Sequence, residues 1–209
     1  MRKRSGGSKA VLEHSLTRRE RRPKIVYVMR SKKRKTTTRP SASRNSAKPV
    51  PKADKALRGQ LAKLLDGGEA HAPWSTAFAD MPENLQGVKP QGAPHTAWQL
   101  LEHMRIAQWD ILEFSRNPKH VSPQFPEGYW LATEAPPDSR AWKKSADAFG
   151  HDLAEMKKLV ADSKTDLFAP IAHGEGQTIL REALLAADHN AYHLGQIVLI
   201  RKMLGAWPE

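Results

Sequence analysis

Two histidines stand four residues apart in the run Asp188-His189-Asn190-Ala191-Tyr192-His193-Leu194-Gly195-Gln196. On a helix this spacing puts both imidazoles on one face, where they can grip one metal ion. Spacing alone does not decide the matter, but the surroundings add weight. Both histidines lie in the most apolar stretch of helical length, from about Gln177 to Leu204. Buried neighbouring imidazoles need partners for their ring nitrogens, and a shared ion supplies them. A zinc-protease reading fails, because position 190 is asparagine where that motif carries its glutamate base. The chain has no cysteine, which excludes a disulfide scaffold, a thiolate cage, an iron–sulfur cluster and a cysteine nucleophile.

A third ligand must come from another segment. His103 is the best placed, since it stands beside the apolar face of a second long helix. A lone histidine there can equally be a hydrogen-bonded core residue, and on the residues alone both readings stay open. His95 is at a helix start, His71, His120 and His173 fall in loops, His151 points away from its helix seam, and His14 lies in the head.

The pattern that positions these residues is helical throughout. Leu57, Leu61, Leu64 and Leu65 form one stripe, with Asp54 as the expected N-cap and Gly67-Gly68 as the stop. Residues 69–94 contain four prolines and read as a loop with one short turn. A second helix follows Pro94 and ends near Asn117, with Leu100, Leu101, Met104, Ala107, Ile111 and Leu112 on a broad apolar face. After a Pro-rich loop over 118–137, Trp142, Ala146, Phe149, Leu153, Met156 and Val160 mark a bundle seam capped by Asp138 or Ser139. The fourth helix is apolar almost all round and is expected to be the most buried. Four such helices with long connections predict an all-α bundle with at least one crossover.

Charge divides the chain in two. Of the formal +12, residues 1–53 hold 18 Lys+Arg and 2 Asp+Glu, net +16, so residues 54–209 are net −4. The head lacks the apolar surface to offset its ordering entropy and is expected to be a disordered basic tail, with the bundle domain spanning 54–209. Its clusters, Arg2-Lys3-Arg4 and Lys32 to Lys35, could make weak non-specific phosphate contacts with nucleic acid. A mis-assigned start codon could also have added part of the head, Met29 being one candidate start. No segment reaches membrane length, so no membrane partner is expected and the location is read as cytoplasmic.

Trp98-Gln99-Leu100-Leu101-Glu102-His103, then Asp188-His189-xx-Tyr192-His193-xx-Gln196 and Arg201-xx-Leu204-Gly205, resemble the DinB-like (YfiT-like) family over roughly residues 54–207. The resemblance implies an up-down-down-up four-helix bundle. It also implies a metal held by one histidine of the second helix and two of the fourth: His103, His189 and His193. Better-understood members are thiol-dependent transferases and isomerases, which implies a low-molecular-weight thiol as co-substrate.

Three neutral imidazoles would leave a divalent ion's charge uncompensated, making it a good Lewis acid for an ionised thiol or an acidified water. Zinc fits the donors best; nickel, iron and manganese are compatible. The expected function is S-transfer or hydrolysis of a small-molecule substrate. The alternative is a non-catalytic binding module with a structural metal or none. Gln196, one turn from His193, could bond a ligand or substrate, while Glu182 could at most line the pocket mouth, and each is also read as an ordinary bundle polar residue. Tyr192 reads as pocket or core, Asp188 as orienting another helix, and Gly195 as allowing a close helix crossing. The loops 69–94 and 118–137, with Trp74, Tyr129 and Trp130, are expected to line the pocket. A homodimer is compatible with a bundle of this kind.

Overall fold

The computed structural model describes residues 51–67 and 69–208. Its helices are α1 (Pro51–Asp66), α2 (Trp74–Phe78), α3 (Ala97–Arg116), α4 (Ala141–Ala161) and α5 (Ile179–Met203), with a 3-10 turn at Glu83–Leu85. The expected tail lies outside the described residues except for its last three, which already belong to α1.

Three of the four long helices have boundaries with readable causes. Thr96 caps α3, its hydroxyl accepting from Gln99 N–H while the Gln99 side chain accepts from Thr96 N–H. Thr178 caps α5 through its hydroxyl alone, which accepts from Arg181 N–H. Gly67 and Gly205 adopt φ of 66° after α1 and α5, a conformation that side chains resist. Asp54 is not a cap: α1 begins three residues earlier, with Pro51 at a position where its missing N–H costs nothing. Asp54 instead accepts from Arg58 at 2.8 Å. Nor do Asp138 and Ser139 cap α4; its N-cap is Arg140, whose N–H Asp138 receives in the preceding turn.

Packing neighbours run in the ring α1–α4–α3–α5. Their directions follow from side-chain pairs. Arg58 donates to the Val160 and Asp162 carbonyls while Asp66, about two turns on, meets Lys157, so α1 and α4 are antiparallel. Arg116 meets Glu155 and Glu102 bonds Ser145, so α3 and α4 are parallel. His103 meets His189 and His193 while Asp110, two turns on, lies beside Glu182, two turns before His189, which makes α3 and α5 antiparallel. The order is therefore up, down, down, up. A parallel α3–α4 pair needs a return crossover, which explains the long segment between them.

The core joins all five helices, with Trp98, Leu101, Met104, Phe149, Met156, Ala183 and Ile197 at its centre. Trp74 packs edge-on against Phe149 at 5.7 Å and Trp142 donates to the Phe78 carbonyl, so α2 is a core plug rather than pocket lining. Leu64, expected in the α1 stripe, is exposed. The most buried helix is α3, not α5, which leaves one apolar stripe uncovered.

Candidate metal centre

His103 comes from the middle of α3, and His189 and His193 from adjacent turns of α5. The antiparallel packing of these helices brings the three rings together. Each offers a ring nitrogen, and the three nitrogens lie within 4.8 Å of one another. His103 Nε2 and His189 Nε2 are 3.0 Å apart.

The tautomers are set from outside. His103 Nδ1–H donates to the Tyr129 carbonyl at 3.0 Å, which leaves its Nε2 lone pair free. His193 Nδ1–H donates to Gln196 Oε1 at 2.9 Å, again freeing Nε2. Gln196, named from sequence, thus bonds a candidate ligand directly. Burial, and then the charge of neighbouring histidines, holds His103 down to about 4 and His189 to about 3. Burial also lowers His193. Burial thus favours the neutral form of all three, the form in which imidazole binds metal. At zinc–nitrogen bonds near 2 Å, tetrahedral ligand nitrogens stand about 3.3 Å apart, so the cluster needs little adjustment to hold an ion. The residues fit a metal.

The crossover loop lies along α3 as a strap. Thr96 Oγ1 donates to the Glu134 carbonyl at 2.7 Å, Gln99 Nε2 to the Leu131 carbonyl at 3.2 Å, and His103 Nδ1 to that of Tyr129. At its far end the Tyr129 hydroxyl donates to Asp110 at 2.5 Å, and Asp110 also bonds His120 at 2.7 Å. The strap lays Trp130 flat on His103, with ring centroids 3.8 Å apart. His95 stacks on the indole's other face at 4.0 Å. Tyr129 and Trp130 were expected as lining; the His95 sandwich and the roles of Asp110 and His120 were not. Thr96-x-x-Gln99 was a readable capping signal that would have fixed His95 just outside the helix.

Other expectations change. Tyr192 is exposed rather than core, with its ring edge-on to His193 at 4.9 Å. Glu182 is fully buried and accepts from Arg181 at 2.6 Å; burial raises its pKa. It is paired to its own neighbour rather than lining a mouth. Asp188 is exposed and orients no helix. Nothing lies within 4 Å of a Cβ built at Gly195, so among the described residues no helix crosses there. A separate cavity of about 530 Å³, between Ser75, Asp80, Arg201 and Trp207, includes none of the three histidines.

The family model of the DinB superfamily matches residues 68–197. The chain belongs to the DinB superfamily. The match includes α3, α4 and both α5 histidines and leaves out α1, so it is shorter than the resemblance read from the motifs. No curated protein and no solved structure matches the chain. For this DinB-superfamily protein, a bundle with a three-histidine group able to hold a metal is therefore the level at which family and geometry agree.

Proposed function

We propose that the protein is a divalent-metal-dependent enzyme in which His103, His189 and His193 hold one ion for S-transfer or hydrolysis of a small molecule. The observation that carries this reading is the convergence of three histidines whose ring nitrogens face one another. Two of them have their other nitrogen committed to an acceptor. His189 has one Nε2 proton to offer and can bond His103 or His193 with it but not both, whereas one cation would serve all three nitrogens.

When bound, the ion would supply a Lewis acid able to ionise a thiol or water near neutral pH. Zinc suits an all-imidazole set best, with nickel, iron and manganese as lesser matches. The chain's own residues do the positioning. Tyr129 and Gln196 fix two tautomers, Trp130 fixes the plane of His103, and Tyr192 borders His193. A low-molecular-weight thiol is the proposed co-substrate, and the cytoplasm the proposed location. Among the described residues no helix is long and apolar enough to cross a membrane.

Elemental analysis of the purified protein, followed by a thiol-dependent activity screen, tests the reading. One divalent ion per chain is expected, lost in both His103→Ala and His193→Ala. Metal content unchanged in both variants would sink it.

A further inference from the structure

The uncovered face of α5 has an order of its own. Leu184, Tyr192, Leu199 and Met203 are 44%, 55%, 58% and 51% exposed. With Asp188, Gly195 and Lys202, also exposed, they fall within about 100° of arc on the helix. Leu64 of α1, 53% exposed, lines a common crevice with Ala191 and widens the patch. Scattered apolar residues on a surface are ordinary, but a continuous stripe on one helix marks a contact.

The stripe is also symmetric about Gly195. Asp188 lies seven residues before it and Lys202 seven after. Ala191 and Leu199 lie four to either side, and Tyr192 and Val198 three. In an antiparallel pair of α5 helices crossing at Gly195, residues at equal distances on opposite sides face each other. Asp188 then meets Lys202 of the partner subunit, and the twofold axis makes the pair twice. Neither residue has an ion-pair partner of its own among the described residues. Each charge lies about 10 Å along the axis from the crossing, where a shallow crossing of about 20° separates the helices by only a few ångströms. A lysine stem spans that gap. A parallel pairing would instead set like charges together.

We propose that this face of α5 binds a second copy of the chain in an antiparallel twofold contact centred on Gly195. The glycine provides the close approach that no helix among the described residues uses. His189 and His193 point toward α3, so pairing leaves the candidate metal centre intact. Tyr192, edge-on to His193, is the link between interface and centre.

Sedimentation of the full chain across a concentration series tests this. A species of twice the 23.4 kDa chain mass is expected. Asp188→Lys and Lys202→Asp should each raise the dimer dissociation constant about tenfold or more, since each reversal places like charges together twice. The double reversal should return it to within about threefold of the unaltered chain. Gly195→Leu should give a monomer with undiminished thermal stability, because Gly195 is exposed and a Cβ there meets no described atom within 4 Å. A chain that is monomeric at every concentration, as it would be if its own residues 1–50 covered the face, overturns the proposal. So do single reversals without effect, or a double reversal that fails to restore pairing.

Discussion

The bundle buries two groups of nitrogenous side chains, and they are satisfied in opposite ways. Arg201 in α5 is 2% exposed, and every bond it makes goes to a backbone carbonyl. Its guanidinium reaches Ala77 at 2.8 Å, Ala79 at 2.6 Å, Thr76 at 3.3 Å, and Ala206 from two nitrogens at 2.9 and 2.8 Å. Those carbonyls belong to the end of α2 and to the turn after α5, where helices leave acceptors unpaired. The arginine ties both down, with the Trp207 ring 5.5 Å from its carbon. The histidine cluster, two to three turns earlier in the same helix, turns three ring nitrogens toward one another with at most one proton among them, and His189 Nδ1 is buried without a partner. A complete donor–acceptor set argues for architecture. A buried set left incomplete argues for a ligand.

This contrast predicts which site the fold depends on. Arg201→Ala would leave four buried or half-buried carbonyls without their donor and should cost about 3–5 kcal/mol of unfolding free energy. Chemical denaturation measures it, and a loss under about 1 kcal/mol would erase the distinction between the two sites. His103→Ala should behave in reverse. Metal content should fall from one ion per chain to none, while the metal-free protein loses no more than about 2 kcal/mol, from the cavity beneath Trp130.

The two sites should also respond differently to acid. An unfolded chain protonates its histidines from about 6.5 downward, whereas burial and mutual repulsion delay His103 to about 4 and His189 to about 3. Within that window the unfolded state binds more protons, so the metal-free protein should lose stability as pH falls from about 6.5 toward 4. Denaturation midpoints at pH 7 and pH 5 should differ, and the difference should shrink in a His103→Asn, His189→Asn double variant. Arg201 stays charged across the range and adds no slope. An equal slope in the double variant would place the acid sensitivity outside the cluster.

Residue type and period made one half of this picture legible. Imidazoles four apart in an apolar helix, and a third on another, are features that a 3.6-residue repeat carries directly. The stop at Gly67 and the α4 seam are equally local. The strap was not legible, because the pairing of Thr96, Gln99 and His103 with carbonyls 134, 131 and 129 depends on the path of an aperiodic crossover. The burial of α5 was misjudged for a related reason. A helix apolar on all sides has no pattern to say which side is covered, so Tyr192 and Leu199 could not be separated from Leu194 and Ile197. Asp54 was preferred as a cap because its side chain can accept a bond, although Pro51 offered a start signal of equal standing three residues earlier.

The smallest expected effect concerns how the histidine site acquires its order. Arg201 is held by carbonyls of elements it touches directly, whereas the His103 tautomer depends on a carbonyl delivered by the strap. Tyr129→Phe removes only the hydroxyl that pins the strap to Asp110 and leaves that carbonyl in the chain. Asp110 keeps its bond from His120, so the stability cost should be about 1–2 kcal/mol. If the strap orients His103, metal affinity measured by chelator competition should fall about tenfold as well, as it does when an outer partner of a metal-bound histidine is lost. Stability lost at unchanged metal affinity would show that α3 alone orients His103, and the histidine site would then be as locally determined as the arginine one.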